Sequence, residues 1–213
     1  MTNSTRSINT LLFDWDGTLV DSAQLGLNAF EQSFAALGVV FDHEIYRAVY
    51  SPNWYSVYNA LGLPQEKWPQ ADELWNKYYC AQTALLIDGA KETISKLQDK
   101  GYRLGVVSSG NDYRIAREIK ELGLTDVFEI VVCSEHVENK KPHPEGLHVA
   151  MRSLACLPAA TGYVGDSPED IEMGQRANLF TVGVRSSYPT SWKLERHNPD
   201  ILIESLGELL NYF

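Results

Sequence analysis

The chain has 213 residues, of which 44% are hydrophobic, 22% charged and 11% aromatic, a composition that supports one sizeable core and excludes a disordered or fibrous chain. Eighteen basic against 28 acidic residues give a formal net charge of −10. That balance disfavours nucleic acid and anionic membrane as general partners, yet admits a small anionic substrate beside a metal ion.

Cys80, Cys133 and Cys156 are unclustered and read as reduced thiols of a cytoplasmic protein. The opening MTNSTRSINT has no apolar signal core, no run approaches the length of a membrane span, and the glycosylation triplet at Asn3 is therefore read as chance.

INTLLFD (8–14) is a short apolar run and predicts a buried strand. It runs into FDWDGTLVDS, which sets Asp14 and Asp16 two positions apart where the strand stops. From 22 to 87 only helical patterns follow: Leu27, Phe30, Phe34 and Leu37 fall at helical spacing, and ADELWNKYYCAQTALL (71–86) continues in that style. Three of the five tryptophans and six of the eleven tyrosines lie in this stretch, which assigns most of them to the core of a small bundle. YSPNWY (50–55) is the turn expected to face a cleft, with Arg47, Tyr50, Asn53 and Trp54 as its candidate contacts.

Beyond it, helices and strands alternate. Ala90, Ile94 and Leu97 share one helical face, as do Ile115, Ile119 and Leu122; YRLGVVS (102–108), EIVVCS (129–134), TGYVGD (161–166) and FTVGV (180–184) read as strands. PEGLHVAMRSLAC (144–156) opens on proline, and SPEDIEMGQRA (167–177) opens on a capping-box pattern. The alternation predicts an α/β fold, a doubly wound parallel sheet, with residues 1–21 and 88–213 as its core and an all-helical cap inserted at 22–87.

Open parallel sheets bind ligands outside the carboxyl ends of their strands. Asp14 and Asp16, Ser108, and Asp166 stand at such ends, Asp170 lies one helical turn further on, and Lys141 precedes a helix in KKPHPE. Singly these are turn formers, caps or solvated charges; together they suit phosphoryl transfer. Asp14 and Asp166 offer the oxygen ligands that Mg²⁺ prefers. One carboxylate of the first loop can attack while the other serves as acid and then base. Ser108 and the amides of the SSGN turn, Ser109 included, suit an anion, and Lys141 adds fixed positive charge.

In order and spacing, DWDGTLVDS, Ser108, the lysine of KKP and VGDSPED resemble the four motifs of the haloacid dehalogenase superfamily, across nearly the whole chain. The helical insertion after the first motif is similar to the small cap of its phosphoglycolate phosphatase and β-phosphoglucomutase branch. The resemblance implies a Rossmann-like core and assigns Asp14 as the nucleophile that becomes an aspartyl phosphate. Asp16 would be the general acid/base, lending its backbone carbonyl to Mg²⁺. Thr18, Ser108 and Lys141 would hold the phosphoryl group, Asp166 would be the second carboxylate at the metal, and Asp170 would orient the site. Lys140 fits less well, because the family's lysine directly precedes the proline. The presence of Asp16 sets the chain apart from dehalogenases and phosphonate hydrolases, and Gly165 before Asp166 departs from the Glu-Asp pair usual in the mutase.

The expected activity is thus Mg²⁺-dependent hydrolysis of a small phosphate monoester, a phosphorylated metabolite. A sugar-phosphate phosphomutase and a non-catalytic phosphate- or partner-binding protein are the alternatives. The cap is expected to act as a lid that selects the substrate. The sequence names neither that substrate nor an oligomeric state.

Overall fold

In a computed structural model, residues 7–213 are described; the Asn3 triplet lies outside them. Strands β1 (Thr10–Phe13), β2 (Arg103–Val107), β3 (Ile130–Val132), β4 (Thr161–Gly165), β5 (Phe180–Val184) and β6 (Ile201–Ile203) form one sheet. Their spatial order is β3-β2-β1-β4-β5-β6, and every neighbouring pair is parallel. The chain steps from β1 to β2 on one side and returns to β4 on the other, so the order reverses at β1, where such sheets open a crevice.

Alternation along the strands divides the core into two layers. Leu11, Phe13, Leu104 and Val106 face α5 (Ala90–Asp99) and α6 (Asp112–Glu121), burying Ile94, Leu97, Ile115 and Ile119. Leu12, Val107 and Tyr163 face the other way, onto Leu147, Ala150 and Met173 of α7 (Glu145–Leu154) and α8 (Pro168–Arg176). Both faces of the sheet are covered, which is why its strands read as continuous apolar runs. The five expected strands are all present. β6 was not foreseen: its three residues lie between 3₁₀ segments at Ser191–His197 and Leu206–Asn211, too short a run to carry a pattern.

Between β1 and α5 the chain forms only helices: α1 (Ala23–Ala36), α2 (His43–Val49), α3 (Trp54–Ala60) and α4 (Trp68–Cys80), with a 3₁₀ turn before the last. Phe30 and Phe34 pack into their centre, as their spacing leads one to expect, together with Tyr46 and Tyr58. Asp42 opens α2, its Oδ1 accepting the Glu44 and Ile45 amides at 2.9 Å each. The two connections to the sheet run side by side: the Asp21 amide donates to Leu85 and the Ile87 amide to Leu19, both at 2.9 Å.

Candidate active site

The loop after β1 is pinned by backbone geometry. The Asp14 amide donates to the Val164 carbonyl at 2.8 Å, extending the ladder to β4 by one residue. Gly17 then turns with φ +81°, and a Cβ there would stand 2.3 Å from Asp166 Oδ2. Only glycine brings the first loop this close to the end of β4.

Asp14 is 5% exposed and Lys141 likewise. Lys141 Nζ donates to Asp14 Oδ1 at 2.6 Å and to Asp170 Oδ1 at 2.7 Å. Asp170 is fully committed: Oδ1 also accepts from the Tyr163 hydroxyl at 3.0 Å, and Oδ2 accepts from the Ser167 amide and hydroxyl at 3.0 and 2.6 Å. The Ser167 hydroxyl accepts the Asp170 amide in return, completing the expected capping box of α8. Burial works against the Lys141 ammonium, but the two carboxylates outweigh it and hold its pKa well above the ordinary lysine value.

Asp16 points to a different partner. Arg114 Nη1 donates to Asp16 Oδ1 at 2.9 Å and Nη2 to Oδ2 at 2.5 Å, a two-pronged pair. Arg114 is 2% exposed, and the same Nη1 also meets the fully buried Glu118 at 3.4 Å. Trp15, the residue between the two aspartates, donates its indole N–H to Glu118 Oε2 at 2.7 Å. Burial opposes ionisation of Asp16, yet the charge and hydrogen bonds of Arg114 prevail and lower its pKa.

Asp14, Asp166 and Asp170 bring carboxylate oxygens within 4.8 Å of one another. Burial, resisted by Lys141 and reinforced by Asp170, raises the Asp14 carboxyl to about 7. Burial, with the charges of Asp14 and Asp170, pushes Asp166 well above the ordinary range. Buried carboxylates that are costly to ionise together, offering hard oxygen donors, fit a divalent cation. Asp170 has no acceptor position left, so Asp14 and Asp166 are the ligands this cluster can supply.

A cavity of ≈ 390 Å³ lies between this rim and the helical insertion. Asp14, Asp16, Ser109, Lys141, Asp166, Tyr50 and Trp54, all candidates from the sequence, line it. Ser108 is buried beside it, its hydroxyl accepting the Gly110 amide at 2.9 Å and keeping its own proton to donate. Thr18 is buried with its hydroxyl turned to Asp166 Oδ1 at 3.3 Å, so it supports that carboxylate and does not line the cavity. Two cap candidates lie outside its lining. Asn53 does not line the cavity; it stands at the start of α3 with Oδ1 buried and unpartnered. Arg47 is exposed on α2, next in sequence to the buried Tyr46, and does not line the cavity.

Sequence reading assigned no place in the site to several residues in or beside the wall. Lys140 sits over the Trp54 ring at 4.2 Å, whereas its neighbour Lys141 turns into the core. Tyr188 stacks on Tyr50 with centroids 4.8 Å apart, and Ser186 donates to Asp166 Oδ2 at 2.6 Å. Asp72 accepts from the Trp54 indole and from the Tyr55 and Tyr58 hydroxyls at 2.9–3.1 Å. The position of Ser186 just after the end of β5 was a usable signal, for the same reason that singled out the ends of the other strands.

The sequence profile of the haloacid dehalogenase-like hydrolases matches residues 11–184. The chain belongs to that family. A pyrophosphatase PpaX of Bacillus pumilus is 30% identical over 209 residues, covering 96% of this chain and 95% of the relative. Among solved structures, a haloacid dehalogenase-like family hydrolase from Streptococcus pneumoniae superposes with a TM-score of 0.83 at 23% identity, over 97% of this chain and 99% of its own. A β-phosphoglucomutase from Clostridium difficile gives 0.80 at 20% identity, over 96% and 95%. Hydrolases and a mutase thus share this fold, which by itself does not choose between them. Family and relatives together make the protein a hydrolytic enzyme of the phosphatase type. Among the described residues no helix is long and apolar enough to cross a membrane.

Proposed function

We propose that this protein hydrolyses a small phosphate monoester with Mg²⁺, through an aspartyl phosphate on Asp14. The observation that carries the reading is the juxtaposition in one cavity of Asp14, paired with Lys141, and a second carboxylate, Asp16, held apart from it by Arg114. Asp14 Oδ1 faces Lys141, which leaves Oδ2 to attack phosphorus and Lys141 beside the charge that develops. Asp16 protonates the departing oxygen and then takes a proton from the water that releases phosphate. Asp14 and Asp166 would hold Mg²⁺, which supplies charge neutralisation at the phosphoryl oxygens. Thr18 and Ser186 orient Asp166, and the Ser108 hydroxyl and Ser109 receive the phosphoryl group. Residues 22–87 form the cap, hinged at its paired connections, with Tyr50 and Trp54 against the rest of the substrate.

Packing at Gly165 favours a phosphatase over the mutase. A Cβ at 165 would fall 2.4 Å from Asp170 Cβ and 2.5 Å from its Cγ, so the glutamate of a Glu-Asp pair has no space here. The PpaX relatives make inorganic pyrophosphate a second candidate substrate. A ≈ 390 Å³ cavity with aromatic walls favours an organic group on the phosphate. Phosphate release over a panel of phosphorylated metabolites and pyrophosphate, with Mg²⁺ and with chelator, tests the reading. Release without Mg²⁺, or an undiminished rate in Asp14→Asn, would overturn it.

A further inference from the structure

Asp16 is held by more than its own loop. A carboxylate offers four lone-pair directions, and Arg114 takes one on each oxygen, leaving one on each for a leaving-group oxygen or a water. A single hydrogen bond would let the carboxylate rotate; a planar fork across both oxygens fixes its plane.

Arg114 is itself enclosed. Glu118 meets it one turn along α6, and Trp15 holds Glu118, so the chain of contacts from Asp16 closes on Asp16's own neighbour. Gly110 lies against the guanidinium: a Cβ there would stand 2.3 Å from Nη2 and 3.1 Å from Cζ. The remaining cover comes from α4 of the cap, whose Tyr79 and Trp75 rings stand 4.7 and 5.8 Å from Cζ. The guanidinium therefore meets Asp16, Glu118 and the cap at once.

We propose that Arg114 is a positioning residue for proton transfer by Asp16, fixing the plane of its carboxylate from α6 and linking it to the seating of the cap through Tyr79 and Trp75. This rests on the reading of Asp16 as the acid/base group and adds the device that aims it. Misplacement by an ångström costs about 10²-fold in such steps. Arg114 borders the cavity, but it is 2% exposed and both of its Nη atoms are committed to Asp16, so the loss belongs in kcat.

The test measures Arg114→Met, Arg114→Lys and Trp15→Phe, each alone and combined with Asp16→Asn, on phenyl phosphate and 4-nitrophenyl phosphate at saturating Mg²⁺. Arg114→Met is expected to lower kcat on phenyl phosphate about 10²-fold with a much smaller change in KM. The loss should be smaller on 4-nitrophenyl phosphate, whose leaving group departs with little need of a proton. In the Asp16→Asn background the same substitution should have no further effect on kcat. Arg114→Lys and Trp15→Phe, milder changes that spare the fold if Arg114→Met does not, should move kcat in the same direction. An equal loss in both backgrounds, or no loss in either, overturns the proposal. A crystal structure of Arg114→Met or Arg114→Lys decides it without turnover: Asp16 should leave its present orientation, and an unmoved Asp16 refutes the positioning role. A wild-type enzyme inert towards every phosphate ester would instead defeat the phosphatase reading, leaving the crystallographic result to judge Arg114.

Discussion

Replacing Lys141 with methionine would remove the one cation between two buried carboxylates. Lys141 is 2.6 Å from Asp14 and 2.7 Å from Asp170, and Asp170 is fully buried. Breaking one side of a buried pair typically costs about 3–5 kcal/mol, because a charge is left without compensation. For a chain of this length each kcal/mol lowers Tm by roughly 2–4 °C, so a fall of roughly 6–20 °C is expected at pH 8 without metal. Asp170 keeps the Tyr163 hydroxyl and both Ser167 donors, which places the fall towards the lower half of that range. Without the ammonium Asp14, already raised by burial, becomes harder still to ionise, so it takes up its proton at higher pH and the deficit shrinks on acidification. Melting curves of both proteins at pH 8 and pH 5.5 measure the two differences. A Tm within 2 °C of wild type at pH 8, or a deficit that grows at pH 5.5, would refute this account of the site's charge balance.

Three further outcomes follow from the same geometry. Asp14, raised to about 7 by burial, stabilises the metal-free fold at low pH and loses that contribution as pH rises from the ordinary carboxylate value of 3.8 through about 7. Because Mg²⁺ needs the ionised form, its effect on Tm should be larger at pH 8 than at pH 5.5, and Asp14→Asn should flatten that difference in melting experiments. Gly165→Ala should press on Asp170 and cost about 1–3 kcal/mol in denaturant unfolding, with a lower kcat; a neutral result would mean that Asp170 does not pack there. Trp54→Ala and Tyr50→Ala should reorder a series of phosphate monoesters while hydrolysis of acetyl phosphate changes little, whereas proportionate loss on every substrate would make these rings scaffold.

Much of the fold was legible because both faces of the sheet are covered: the inner strands are short uninterrupted apolar runs, and the polar residues that follow β1 and β4 mark the rim of the cavity. Asp14 and Asp166 could be placed together for that reason, and Lys141 through its position before the proline of KKP. The all-helical cap was legible from periodicity, and its aromatics from their spacing. Its inner surface was not, because a residue on a seven-residue helix such as α2 or α3 turns away from the cleft with a small change of helix direction. Arg47 and Asn53 fell outside the cavity, while Tyr50 and Trp54 fell within it.

Arg114 was illegible for a different reason. An arginine and a glutamate four residues apart on a helix normally mark a solvated face. Here the pair is 2% and 0% exposed, because α6 begins directly under the cap and ends against the first loop. Burial changes what such a pair can do. In water it would contribute little to stability, and its side chains would move freely. Enclosed by Trp15, Gly110, Trp75 and Tyr79, its geometry is fixed by its surroundings, and Asp16 inherits that geometry through two hydrogen bonds. Asp14 and Asp16 thus sit two residues apart but answer to opposite walls. A lysine reaching across from before α7 neutralises one of them, and an arginine from α6 clamps the other. Burial outweighs the lysine and drives the Asp14 pKa upward, whereas at Asp16 the arginine outweighs burial and draws it downward, so adjacent carboxylates of one loop become chemically distinct.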